Sequence, residues 1–240
     1  VSALGHYLEE EGIATVAIVL IRPQAENTRP PRALFVPFEL GRPLGPPSDA
    51  AFQKRVIMAA LGLLVANRRP SLIVDFSDDD PREAPDPGWR PPIEPTTIPQ
   101  EAADLAEAVE VELWALARPY AESCVRRERS TVGLSGLAPA ACGDYVASWL
   151  RGEKRASPVA DMSPALALRF AIDDLKAFAL EAALTPGTRP SSRQLGDWLW
   201  NGTALGAALQ TLRRDCLAGD DERLKTVAAF FVPALRVPPE

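Results

Sequence analysis

Few side chains in this sequence can do covalent chemistry, and their types and spacing narrow the choice. His6 is the single histidine of the 240-residue chain, which removes most Ser-His and Cys-His nucleophile pairs and most zinc sites. Cys124, Cys142 and Cys216 lie far apart with no CxxC pair, so they read as free thiols acting as small apolar residues. Gly133-Leu-Ser-Gly136 has the look of a nucleophile elbow, but Leu137 stands where G-x-S-x-G needs its second glycine. Asp75, Asp78, Asp79 and Asp80 crowd one segment. Such carboxylates can hold a hard cation such as Mg²⁺ through oxygen, as in a metal-dependent hydrolase; the commoner fate of a charge run is a hydrated turn. Arg42 can meet a carboxylate bidentately, or be an ordinary surface arginine.

Composition sets the frame for these groups. With 47% hydrophobic and 24% charged residues the chain suits one large globular domain or two modest ones. A formal net charge of -6 offers no basic surface for phosphates, so nucleic acid is excluded as a partner. The longest apolar run, Ile13 to Ile21, falls short of the roughly 20 residues of a membrane span. No membrane association follows, and the chain reads as cytoplasmic.

The elements that must position these residues begin with a short helix over Ser2 to Glu11, closed by Gly12, which can adopt the left-handed conformation. Ile13 to Ile21 is dense in β-branched residues without polar alternation, the pattern of a strand covered on both faces. A parallel unit of this kind would normally open with a strand, which places one before Val1. Arg22 to Arg32 reads as a polar connection and Ala33 to Phe38 as a second strand. Phe35 to Pro47 then forms a rigid loop, with Pro37, Pro43, Pro46 and Pro47 stiffening it around Gly41 and Gly45. It leads into a helix from Ser48, the expected N-cap, to a stop at Asn67, with Phe52, Val56, Ala60, Leu61 and Leu64 on one face. Ser71 to Phe76 is the third strand, and its carboxyl end carries the aspartates, where open α/β sheets gather ligands.

Seven prolines between 81 and 99 mark an extended linker, and the chain beyond is helical. Thr97-Ile-Pro-Gln100 has the form of a capping box before a stripe of Leu105, Val109, Leu113 and Leu116, kinked or ended at Pro119 and continuing over Tyr120 to Arg129. Further helices are expected over Pro139 to Leu150, burying Tyr145 and Trp149, and from Ser163-Pro164 to about Leu184. One long helix is expected from Ser191 through Leu212, and an Asp220-capped final one buries Phe231. Trp198, Trp200, Gly202 and Gly206 suit a pocket floor or, more in keeping with their spacing, core packing between helices. The fold class is therefore α/β, a small parallel-sheet N-terminal part, followed by an all-α C-terminal helical domain, with bounds 1–80, 81–99 and 100–240.

Three stretches carry a likeness: Glu9-x-x-Gly-Ile13 ahead of a buried strand, Pro37-Phe-Glu-Leu-Gly-Arg-Pro-Leu-Gly45, and Gln53-Lys-Arg-Val56 leading to Ala60-Leu61. On these the first third of the chain resembles the selenoprotein B family of glycine, sarcosine, betaine and D-proline reductases. The resemblance implies a reductive cleavage by selenolate or thiolate residues sited just before the first helix, where a helix N-terminus lowers their pKa. That place is occupied here by Val1-Ser-Ala, without cysteine. The chain is thus expected to be an accessory or incomplete member without its own Cys/Sec centre and with no cofactor. A redox subunit or an upstream-encoded segment would be its partner, and a small amino-acid-like substrate its ligand. His6, Gly41, Arg42, Gly45 and Asp75 are the expected substrate-binding residues. Two positions depart from the family pattern: Arg42 replaces a small polar residue, and Phe38 stands where some members have His. The competing reading is a non-enzymatic helical protein whose residues 100–240 bind a protein or a small ligand.

Overall fold

A computed structural model describes residues 2–66, 71–81, 84–94, 97–153 and 155–233. The chain divides into two compact units, Val1–Ala84 and Pro85–Glu240. The first is α/β with a small parallel sheet, and the second is helical among its described residues.

The first unit opens with α1 (Ser2–Glu10), and Gly12 at φ 81° turns the chain out of it as expected. Three parallel strands follow in the order β1 (Ala17–Val19), β2 (Arg32–Phe35), β3 (Leu72–Asp75). Ala17 lies opposite Ala33, and Ala33 opposite Ile73. The strand expected from Ile13 to Ile21 is limited to Ala17–Val19 and is only half-buried, with Ile13 54% and Ile21 44% exposed. Its position explains this, since among the described residues β1 is paired on one side only and an edge strand lacks the double cover of a central one. The expected connection after it contains α2 (Arg22–Thr28), started by a proline in its first turn, where the missing N–H has no helical partner to lose.

Between β2 and β3 runs α3 (Ala50–Gly62), closing through a 3-10 turn at Leu63–Val65. Its cap is Asp49, which accepts from the Phe52 N–H at 2.9 Å; Ser48 sits at φ 64°, outside the conformation an N-cap needs. Phe52, Val56 and Ala60 share the buried face, whereas Leu61, 47% exposed, lies a helical step away from it. The expected stop at Asn67 lies outside the described residues. Leu34, Val36, Phe38, Phe52, Val56 and Ala60 form the core of this unit.

The second unit is built on α4 (Ala102–Arg127), which runs unbroken through Pro119. Burial of Leu105, Val109, Leu113 and Leu116 along one face outweighs the roughly 3 kcal/mol that an interior proline costs. The capping box expected at Thr97 is not formed, and Glu101 opens the helix without a side-chain cap. The next two helices are α5 (Pro139–Leu150) and α6 (Pro164–Ala182), the latter capped by Ser163 as expected. Tyr145 is buried and Trp149 half-buried. Ser191 and Gln194 complete the expected capping box of α7 (Ser192–Gly202).

The single helix expected through Leu212 is broken at Thr203, beyond which α8 (Ala204–Ala218) begins. Thr203 donates to the Leu199 carbonyl at 2.6 Å and accepts from the Gly206 N–H at 2.9 Å, so one hydroxyl ends α7 and caps α8. Gly206 is indispensable here, because a Cβ would lie 2.0 Å from the Leu199 carbonyl oxygen. Finally α9 (Glu222–Ala228) is capped by Asp221 instead of Asp220, with Phe231 fully buried after it. Trp198 and Trp200 are buried in the common core, the packing role that their spacing favoured.

Candidate functional site

The carboxyl ends of the parallel strands carry two arginine–aspartate pairs. Arg22 opens α2 directly after β1; it pairs with Asp75, the last residue of β3, and with Glu26 at 3.2 Å. Its guanidinium also lies 5.2 Å from the centroid of the Phe35 ring. Arg55 on α3 pairs with Asp78 at 3.2 Å and covers the Phe52 ring at 4.8 Å. Asp75 and Asp78 are thereby matched by arginines, and no group of three or more metal-ligating side chains occurs among the described residues. Asp80, expected in a hydrated turn, is 2% exposed.

The loop between β2 and α3 is fixed from below. Phe38, Phe52 and Phe76 form an aromatic triad with centroids 5.5, 5.9 and 6.0 Å apart. Gly45, at φ 81°, lies so close to this triad that a Cβ would come within 2.4 Å of the Phe52 ring. Gln53 reaches back from α3 and donates to the Pro46 carbonyl at 2.8 Å. Gly41, at φ 92°, faces open space, so only its conformation demands glycine. Arg42 stands between the two glycines, half-exposed, with its guanidinium 3.4 Å from the Glu39 carboxylate.

Of the sequence-predicted site residues, Gly41, Arg42 and Gly45 share this loop, and Asp75 ends the strand beside it. His6 belongs elsewhere. It is exposed on α1, whose Gly5 backs onto Pro31 and Thr15 and whose Glu9 accepts from Arg32 at 2.6 Å. Thr15 precedes β1, Pro31 precedes β2 and Arg32 is the first residue of β2, so α1 lies at the amino ends of the strands, opposite the loop. Glu9 is held below its ordinary pKa first by the Thr15 N–H and then by Arg32.

Sequence reasoning missed the buried carboxylates of the second unit. Asp174 accepts from the Gly133, Leu134 and Ser135 amides at 2.8, 2.9 and 2.9 Å and from the Ser135 hydroxyl at 2.5 Å. Burial alone would raise its pKa, but the Ser135 hydroxyl and the three amides together hold it below the ordinary value. The Gly-Leu-Ser-Gly segment is therefore a loop anchored on a carboxylate, with Ser135 2% exposed. Glu181 secures the same loop through the Thr131 amide and hydroxyl, both at 2.8 Å. Glu112 receives the Ala204 and Leu205 amides at 2.6 and 2.9 Å, capping α8 from α4; burial nevertheless pushes its pKa up. Each of these carboxylates serves as an acceptor for backbone amides from a distant part of the chain, a structural role. Cys142 is fully buried beside Ser135, and burial raises its thiol pKa, leaving it inert.

No family model, curated protein or solved structure matches this chain.

Proposed function

We propose that the first unit is an accessory member of the glycine, sarcosine, betaine and D-proline reductase family, offering a surface to a small amino-acid-like substrate or to a redox partner. The observation that carries this reading is the loop after β2, which the Gly45–Phe52 contact fixes beside the carboxyl end of the sheet with Arg42 projecting from it. Glu39 stands 3.4 Å from that guanidinium, longer than the 2.7–2.9 Å of a charge-assisted hydrogen bond, so a substrate carboxylate can compete for it. The chain's own thiols are unsuited to reductive cleavage. Residues 1–84 contain no cysteine, Cys142 and Cys216 are buried, and the half-exposed Cys124 belongs to α4 of the helical unit. The attacking thiolate or selenolate therefore belongs to a partner polypeptide or segment, and no cofactor is required of this chain.

Titration calorimetry of the full chain with sarcosine, betaine and D-proline tests the reading. Arg42→Ala is expected to weaken whichever of these binds by roughly tenfold, the loss of one charge-assisted contact. Capture of a Cys- or Sec-bearing redox protein that also depends on Arg42 would support the partner form. If Arg42→Ala changes neither binding nor capture, the loop has a purely structural role.

A further inference from the structure

The helical unit holds a groove of about 410 Å³ along α4 and α5, a volume suited to a small molecule. Glu110, Leu113, Trp114 and Ala117 line it at helical spacing from α4, Gly143 and Asp144 from α5, and Phe178 closes it from α6. Gly143 brings the helices together, since a Cβ there would stand 2.4 Å from a Leu113 methyl carbon. The two helices run antiparallel, because Arg151 at the end of α5 pairs with Glu110 near the start of α4 at 2.7 Å. Gly143 facing Leu113 and Arg151 facing Glu110 put both acidic lining residues toward one end of the groove. The rings of Tyr120 and Phe178, tilted at 45° with centroids 4.6 Å apart, stand toward the other.

The charge is one-sided. Among the described residues no lysine, arginine or histidine lines the groove. Arg151 balances Glu110, whereas Asp144 is exposed and makes no hydrogen bond or ion pair among the described residues. On the same groove Trp114 is 82% exposed, an apolar ring of the type that attracts cations. We propose that this groove binds a small organic ammonium, with its charged head between Asp144 and Trp114 and its apolar body along Ala117, Tyr120 and Phe178. Charge complementarity selects this occupant over a neutral apolar molecule or a second copy of the chain.

Calorimetry of the full chain with 4-phenylbutylammonium and its neutral counterpart 4-phenylbutan-1-ol tests the site. The ammonium is expected to bind roughly tenfold more tightly at low salt, and Asp144→Asn to remove most of that difference while leaving the alcohol unchanged. Ala140→Trp, at an exposed position of the lining, fills the groove without touching the core and is expected to abolish binding of both. Circular dichroism checks that each variant is folded. Equal binding of alcohol and ammonium, retention of ammonium affinity in Asp144→Asn, binding that survives Ala140→Trp, or no binding of either compound would each overturn the proposal. So would concentration-dependent dimerisation that Ala140→Trp abolishes, because a second copy would then be the occupant.

Discussion

Asp174 gathers three consecutive amides and a hydroxyl from a loop about 40 residues away in sequence, in a site that is 1% exposed. Asp174→Ala would take the acceptor from all four donors and leave the buried Ser135 amide and hydroxyl unpaired, and is expected to destabilise the chain by about 3 kcal/mol in urea denaturation. Ser135→Ala removes one bond and leaves the amides satisfied, so its cost is expected to be nearer 1 kcal/mol. The same site has a pH signature. Its folded pKa is depressed, so the stabilisation is present at neutral pH and is lost as the pH falls from the ordinary carboxylate value of 3.8 through the lower folded value. Glu181 acts in the same direction, burial being outweighed by Thr131, Ser130 and Arg127. Glu112 has the opposite sign, since its folded pKa is raised and ionisation weakens the fold as pH rises through it. The Asp174→Ala variant is accordingly expected to lose part of the acid sensitivity of the wild-type chain, which denaturation midpoints between about pH 5 and pH 2 would reveal.

The join of α7 and α8 shows which element-level features could be read from the sequence. Gly206→Ala would drive a methyl group into the Leu199 carbonyl, a backbone atom that cannot rotate away, and is expected to cost upwards of about 2 kcal/mol, measurable as a lowered Tm. Periodicity alone ran the apolar stripe straight through this break, because Trp198, Leu199, Leu205 and Leu209 are all buried on both sides of it. The break depends on Glu112, some 90 residues earlier, taking the first amides of α8. Ser163 and Ser191 were legible for the complementary reason, since each caps its helix through a residue three positions on. The three parallel strands were likewise readable, the first from its β-branched run and the others from short apolar runs, but the exposure of β1 follows from its edge position, which local sequence does not encode. At the candidate loop the glycines and prolines announced a fixed shape, while the ring that fixes it, Phe52, emerged only from the packing.

At the scale of the whole molecule, the two cores close separately. One draws its buried residues from Leu34 to Ala60, the other from Trp89 to Val232. Residues 85–240 alone are therefore expected to keep cooperative thermal unfolding and native helicity, which circular dichroism on that fragment would check. The start of this fragment matters because of the proline-rich stretch between 81 and 99. Pro85 and the residues after it belong to the helical unit. The Trp89 indole donates to the Ala183 carbonyl at 2.9 Å and packs edge-on to Trp198, with centroids 6.5 Å apart. Asp86 accepts from the Arg189 amide, while Gln194 bonds its backbone on both sides. This strap sets where the chain tolerates cutting. A protease that nicks between Asp86 and Ile98, or a truncation begun at the first residue of α4, would peel a wedge off the α6–α7 corner and leave the Trp198 face wet, so such a fragment would be sticky where the intact unit is sealed.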